Sequence, residues 1–141
     1  MEAFNIGKTI RGLYRNTNKF INKNLAPHNI SEGQFEYFII IYHNEGINQK
    51  ELAELMNVGK TSVTKAIQKL IKEDLIIRQV KSQDRRNYGL FISDKGKTFT
   101  EIFGNVSFQI SSKIFKDIPE ADLIVLQKIL NKMYENSKNL Q

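Results

Sequence analysis

Residues 48–96, NQKELAELMNVGKTSVTKAIQKLIKEDLIIRQVKSQDRRNYGLFISDKG, decide the fold of this chain. They open with a short helix that Asn48 can cap while Glu51, three residues on, reaches back to the helix start. One apolar face of this helix is formed by Leu52, Leu55 and Met56. The turn after it is formed by Asn57, Val58 and Gly59. The pattern predicts a helix and a tight turn that lead into a second helix.

The second helix, residues 60–73, has one apolar face and one basic face. The residues expected to pack inward are Val63, Ala66, Ile67, Leu70 and Ile71. The residues expected outside are Lys60, Thr61, Ser62, Thr64, Lys65, Gln68, Lys69 and Lys72. No acidic residue occurs in this helix before Glu73. Lysines, hydroxyls and an amide are suited to phosphates and base edges in a DNA major groove.

A hairpin is predicted after the second helix. Asp74 is a residue type that tolerates the left-handed conformation with which helices end. Residues 75–81 then form one predicted strand, rich in β-branched residues, and residues 89–92 a second one. Helix, turn, basic helix and hairpin in this order predict a mainly α chain with a small β-hairpin wing, which is a winged helix-turn-helix.

The wing, residues 81–88, has a basic tip. Arg85 and Arg86 are adjacent with Asp84 beside them, where a plain hairpin usually has Asn-Gly or Asp-Gly. Arginine is attracted by the negative potential of a narrow minor groove, and a carboxylate can hold the loop in shape by accepting hydrogen bonds. The predicted DNA-binding residues are Lys60, Thr61, Ser62, Thr64, Lys65, Gln68, Lys69, Lys81, Asp84, Arg85 and Arg86.

Positive charge is concentrated in the same region. Residues 60–86 contain eight Lys or Arg and three Asp or Glu, which is +5 of the chain's net charge of +6. A lysine-rich surface helix is usually only solvated, so the interpretation depends on motif order, lengths and charge together. They favour double-stranded DNA as partner. The alternative is a winged-helix protein-interaction module without sequence-specific DNA binding, whose basic face meets an acidic partner.

This stretch resembles the MarR family of bacterial transcriptional regulators. The residues that match the family's wing signature, in its register, are Asp84, Arg86, Leu90, Ile92, Ser93 and Gly96. The chain departs from the family pattern at Gly89, where an aliphatic residue is expected, at Ile92 for Leu, and at Asp74, where Gly is frequent. The resemblance covers nearly all of the chain and implies a homodimer built from the N-terminal helix and the last two helices.

Helices are predicted on both sides of the winged region. Residues 4–25 have an apolar stripe and end before Pro27. Ser31 and Gln34 form a capping box for the next helix, which is apolar nearly all round through Tyr42 and should be buried. Ser93 can cap a long helix after the wing. Its apolar stripe consists of Phe99, Ile102, Phe103, Val106, Ile110 and Ile114.

The end helices expose more apolar surface than one small core can cover. The last helix, opened by Pro119, has apolar residues at Leu123, Ile124, Val125, Leu126, Ile129, Leu130, Met133 and Tyr134. We expect a second copy to cover these faces, although the helices could also fold back on their own domain. One MarR-like chain, residues 1–141, would then have a DNA-binding region at 31–92 and a helical dimerisation region at 1–26 and 94–141. Because a two-fold dimer presents two recognition helices, we expect a pseudo-palindromic operator. A repressor is the expected role, and the role of an activator stays open.

The sequence contains little evidence for catalytic, redox, metal-binding or membrane functions. The chain has no cysteine, which excludes disulfides and thiol-based redox sensing, and it contains no known catalytic motif, so we expect no enzyme, cofactor or metal site. His28 and His43 are interpreted as loop or cap residues, with a ligand or zinc role left open. No apolar run is long enough to span a membrane, so a cytoplasmic protein is expected. The resemblance implies a small aromatic or anionic effector between dimer helices and winged region.

Overall fold

The computed structural model describes residues 2–81, 83 and 88–140. The elements in chain order are α1 (Glu2–Leu25), a 3-10 helix (Ala26–His28), α2 (Glu32–His43), α3 (Gln49–Met56), α4 (Lys60–Lys72), β1 (Ile76–Val80), β2 (Tyr88–Ile92), α5 (Asp94–Ile114) and α6 (Glu120–Ser137). The mainly α fold with a hairpin wing is therefore confirmed. The chain forms two compact units, Met1–Ser107 and Phe108–Gln141.

The predicted helix starts of the first unit are confirmed by their hydrogen bonds. At α2 the backbone N–H of Ser31 donates to Oε1 of Gln34 at 3.0 Å, and the Ser31 Oγ accepts from the backbone N–H of Gly33. At α3 the Oδ1 of Asn48 accepts from the Glu51 backbone N–H at 2.8 Å. These caps satisfy backbone donors that have no partner within the helix.

The core of the first unit joins α2, the helix-turn-helix and the wing with the end of α1 and the first part of α5. The rings of Phe38 and Phe103 stack with their centroids 4.2 Å apart. The fully buried side chains include Leu25, Phe38, Ile41, Leu52, Ile67, Leu70, Leu75, Leu90 and Phe103. One sequence expectation was wrong here, because Tyr42, which was expected to be buried, is 46% exposed. Leu55 belongs to the predicted apolar face of α3 and is 57% exposed. Each lies on an apolar helix face that is wider than the part covered by the core.

The wing strands pair antiparallel, with Ile76 opposite Ile92 and Val80 opposite Tyr88. The segment before α3 joins this sheet. The backbone N–H of Gly46 donates to the Leu90 carbonyl, and the Leu90 N–H donates to the Ile47 carbonyl, both at 2.8 Å. The hairpin is therefore attached through its backbone to the start of the helix-turn-helix.

The start of α5 explains two residues of the wing signature. The Oγ of Ser93 accepts from the Gly96 backbone N–H at 2.8 Å and donates to the Asp74 carbonyl at 2.6 Å, so Ser93 caps α5 as predicted. A Cβ on Gly96 would collide with the carbonyl oxygen of Leu75. Asp74 has φ 60°, the left-handed conformation predicted for it. These contacts connect the end of α4 to the beginning of α5.

The second unit contains the end of α5 and all of α6. Asp117 has φ 61°, and Pro119 stands at the position before the first residue of α6. No residue of α6 is buried. Its exposed apolar residues are Ile124, Val125, Leu126, Ile129, Leu130, Met133 and Tyr134. This unit has no core of its own to cover these side chains.

Candidate nucleic-acid interface

The helix α4 has an outer face directly opposite its buried one. Val63, Ala66, Ile67 and Leu70 are at most 3% exposed and pack into the core. The residues on the opposite side at helical spacing are Thr61, Lys65, Gln68 and Lys72, all exposed. The outer face thus carries two cations, a hydroxyl and an amide without a carboxylate. Lys72 was missing from the predicted site, although its spacing of four residues from Gln68 indicates the same face.

The flanks of this face differ from one another. Lys60 and Ser62 are exposed at the start of α4, whereas Thr64 is half-buried and its Oγ1 donates to the Lys60 carbonyl at 2.9 Å. The first turn has no acidic residue and no side-chain cap. Its free backbone N–H groups and the helix dipole favour an anion at this end. The start of α4 is therefore suited to a DNA phosphate.

Lys69 points to a carboxylate of its own protein. Its Nζ lies 3.1 Å from Oε1 of Glu73, and the same oxygen accepts from Nδ2 of Asn29 at 2.7 Å. The hydrogen bond from Lys69 lowers the pKa of Glu73, and Asn29 and Lys95 act in the same direction against the opposing effect of desolvation. Among the predicted contacts of α4, Lys69 is thus the one that forms an ion pair with a carboxylate of the described residues.

The base of the wing is tied to the first turn of α3 by Arg78. Its guanidinium donates to Oε1 of Gln49 at 2.9 Å and lies over the ring of Tyr88, 5.7 Å from the centroid. Arg78 was not among the predicted site residues. The sequence contained no signal for this contact, because Gln49 and Arg78 are 29 positions apart.

Lys81 lies across a pair of glycines. A Cβ on Gly89 would be 2.6 Å from Cε of Lys81 and 2.5 Å from the carbonyl oxygen of Gly46. The alkyl stem of Lys81 thus lies over Gly89 at the exposed end of the wing strands. The departure from the family pattern at Gly89 has a steric reason, since a larger residue would separate the strand from Gly46. The predicted residues Asp84, Arg85 and Arg86 lie outside the described residues.

A cavity of about 380 Å³ lies between α2 and the first part of α5. Its lining residues are Phe38, Ile39, Tyr42, His43, Thr100, Gly104 and Ser107. His43 closes α2 next to Tyr42, whereas His28 packs edge-on against Phe99 at 5.1 Å. Within residues 2–81, 83 and 88–140 no cluster of three His, Cys, Asp or Glu could hold a metal ion.

Known structures share this architecture. The crystal structure of a MarR transcriptional regulator from Methanosarcina mazei Go1 matches with a TM-score of 0.82 and 31% identity, over 96% of this chain and 98% of that chain. The chain belongs to the MarR family. The MarR family model matches residues 30–88, which extend from just before α2 to the first residue of β2. The MarR family consists of transcriptional regulators, not enzymes.

Two further relatives are informative. YybA of Bacillus subtilis, an HTH-type transcriptional regulator, is 37% identical over 68 residues, which are 48% of this chain and 45% of that protein. A MarR-family regulator from Listeria monocytogenes, solved in complex with a 26mer DNA, is 27% identical with a TM-score of 0.80, over 96% and 87% of the two chains. In the part of this MarR-family chain that the structure describes, no helix has the length and apolar character required to cross a membrane.

Proposed function

We propose that this MarR-family protein is a homodimeric, sequence-specific repressor that reads a pseudo-palindromic operator in the cytoplasm. The outer face of α4 carries the proposal, since Thr61, Lys65 and Gln68 point away from the core with no carboxylate among them. An amide and a lysine can read base edges in the major groove, and hydroxyls can contact bases or phosphates. The Listeria relative in complex with a 26mer DNA supports the same partner.

The proposed contacts fall into three groups. Thr61, Lys65 and Gln68 meet base edges, and Lys72 extends that row. Lys60 and Ser62 meet phosphates at the helix start, and Lys81 meets one at the exposed end of the wing strands. Thr64 can join them only if its hydroxyl leaves the Lys60 carbonyl. Arg86 enters the minor groove with Asp84 bracing the loop and Arg85 on a phosphate. Lys69 is the weakest member of the predicted set, because DNA would have to compete with Glu73 for it.

The dimer is proposed from residues 1–26 and 94–141. In α1 the exposed apolar residues are Phe4, Ile6, Ile10, Leu13 and Tyr14. In α6 exposed apolar residues recur from Ile124 to Tyr134, and no residue of this helix is buried. Apolar faces this long rarely stay in water in a soluble protein. A second copy related by a two-fold axis would cover them and present two α4 helices about one DNA turn apart.

The proposed effector is a small aromatic or anionic molecule. The cavity between α2 and α5 supports it, because about 380 Å³ lined by Phe38, Tyr42 and His43 lies within the range of small-molecule sites. Such a ligand releases DNA only if it binds unequally to the competent and incompetent arrangements of the two α4 helices.

Selection of DNA from a random pool by the purified protein, followed by sequencing, tests this function. We expect an enriched two-fold repeat, and light scattering should give twice the mass of one chain. Affinity for one half-site should be much lower than for the full repeat. A monomer at micromolar concentration, or a selected pool without an enriched sequence, would count against the proposal.

A further inference from the structure

The helix α1 carries a second basic surface, which the winged helix-turn-helix does not explain. We call this surface the α1 basic face. It consists of Lys8, Arg11, Arg15, Lys19 and Lys23. They follow one another at spacings of three or four residues, so they lie along one side of the helix. All five are exposed, and none of them forms an ion pair with a carboxylate among the described residues.

Charge is divided sharply along the chain. The segment Glu2–Leu25 has five Lys or Arg and one Asp or Glu. Residues 60–86 have eight Lys or Arg and three Asp or Glu. The remaining residues carry eight Lys or Arg against eleven Asp or Glu, a net charge of −3. The net positive charge of the protein therefore comes from two segments, and α1 is one of them. A merely solvated helix face usually mixes both signs, and like charges at this spacing destabilise a helix.

The basic face stays open when the apolar side of α1 is covered. Ile21 and Leu25 are buried in the first unit, which directs the opposite side of the helix to solvent. Between the cations lie Gly12, Asn18 and Asn22, so the face offers small and amide residues and no apolar ones. Arg11 folds back over Gly7, where a Cβ would be 3.2 Å from Nη1 of Arg11. The face is thus cationic and polar throughout.

We propose that the α1 basic face is a second, sequence-independent binding surface for the phosphate backbone of duplex DNA. The cations extend over roughly 22 Å of helix, about 1.5 Å per residue, with neighbours about 4.5 to 6 Å apart. Duplex DNA offers a phosphate charge about every 1.7 Å of its axis, so several phosphates lie within reach of this row. An anionic membrane is less suitable, because insertion needs a free apolar face. Ile21 and Leu25 of α1 are buried in the first unit, and the exposed apolar residues of α1 are those that the proposed dimer would cover. The inference rests on the proposed function, in that DNA is the anion this protein meets.

Three substitutions on this face test the proposal, with a control of equal charge. The variant Arg11→Gln, Arg15→Gln, Lys19→Gln is compared with Lys116→Gln, Lys128→Gln, Lys132→Gln, whose lysines are exposed near or on α6. The probe is a long duplex of random sequence, titrated at several salt concentrations. The α1 variant should lower the salt slope by about two to three units and weaken binding at low salt by at least about tenfold, since each phosphate contact contributes about 0.9. The control should change the slope by less than about one unit.

Folding, assembly and the α4 site are monitored in the same experiment. Circular dichroism and light scattering should be the same for wild type and both variants. The preference for selected over random DNA should also persist, because phosphate contacts carry no sequence information. If the wild-type protein showed no preference for selected over random DNA, the proposed sequence reading by α4 would be refuted. The difference in salt slope between the α1 variant and the control variant would still decide the role of α1.

Equal salt slopes for the two variants would overturn the inference. Vesicles of phosphatidylcholine with and without phosphatidylserine form the second arm. If the α1 variant loses binding to the anionic vesicles while its DNA slope equals that of the control, the face belongs to a lipid surface and not to DNA.

Discussion

Gly89 in β2 lies against Gly46 in the segment before α3, so closely that a Cβ on Gly89 would be 2.5 Å from the Gly46 carbonyl oxygen. The Gly46 N–H donates to the carbonyl of Leu90, the next residue of β2. Gly46 itself has φ +94°, a conformation that favours glycine. The two glycines together let the hairpin approach the helix-turn-helix at van der Waals distance.

Gly89→Ala should therefore destabilise the first unit. The new methyl group has to displace backbone, and overpacking of this kind costs about 1 to 3 kcal/mol. Gly104→Ala is a matched control on α5, where a Cβ would meet nothing within 4 Å, and alanine should stabilise that helix by up to about 1 kcal/mol. Denaturant midpoints measure both. A Gly89→Ala protein as stable as wild type would mean that the strand and Gly46 separate freely.

Arg78 and Gln49 should be energetically coupled, because their hydrogen bond joins the wing base to α3. We expect Arg78→Ala and Gln49→Ala each to weaken binding to selected DNA, with a coupling of about 0.5 to 1.5 kcal/mol in a double-mutant cycle. Arg78 also carries a positive charge that attracts DNA. The single substitution Arg78→Ala therefore removes both this attraction and the hydrogen bond that holds the hairpin to α3. Additive effects in the cycle would show that Arg78 acts by its charge only.

Glu73→Gln should lower stability in a pH-dependent way. The pKa of Glu73 is below its ordinary value because Lys69 donates a hydrogen bond to the ionised carboxylate. The unfolded chain then binds more protons near the ordinary carboxyl pKa of about 4.3, so this contribution is present above that pH and is lost as the pH falls below it. The thermal unfolding midpoints of wild type and variant should differ at pH 7 and become equal near about pH 3.

The same substitution should strengthen non-specific DNA binding slightly, because it frees Lys69 and removes a negative charge near α4. Glu54→Gln is a control of equal charge on α3, exposed and without an ion pair among the described residues. If the stability difference between wild type and Glu73→Gln is the same at all pH values, the ion pair with Lys69 contributes nothing. Tighter DNA binding by the control alone would contradict the role of Lys69.

Lys65→Ala should lower affinity for selected DNA by about 1 to 3 kcal/mol and relax the preference at one base pair. Lys65 stands at the centre of the outer face of α4, whereas Lys69 is held by Glu73. Lys69→Ala should therefore change sequence preference much less. Selection experiments with both variants measure the difference. A loss with Lys65→Ala that is equal for all sequences would make it a phosphate contact.

Arg85 and Arg86 should act differently, although they are neighbours in sequence. Successive side chains of a hairpin point to opposite sides, so only one of them enters a groove. Arg86→Ala should weaken binding most at sites with an A·T-rich, narrow minor groove, whereas Arg85→Ala should weaken all sequences alike and lower the salt slope by about one. Both effects are measurable by titration. Tighter binding by Asp84→Ala at every salt concentration would rule out its bracing role.

The local signals in the sequence predicted helix boundaries correctly. The caps at Ser31 and Asn48 and the left-handed Asp74 depend on residues at most a few positions apart, so their chemistry can be read from the chain alone. The same is true of the outer face of α4, which follows from helical spacing. Order, lengths and charge were sufficient to predict a winged helix-turn-helix and its recognition helix.

Only the tertiary structure decided which of these residues meet each other. Glu73 reaches Asn29 across 44 positions, Arg78 reaches Gln49 across 29, and Gly89 meets Gly46, none of which a local pattern contains. Helical periodicity placed Tyr42 and Leu55 on apolar helix faces, but it does not show whether another element covers them. Both side chains are exposed. A hydrophobic pattern specifies a face, whereas burial depends on how many other elements pack against that face, which is a property of the whole fold.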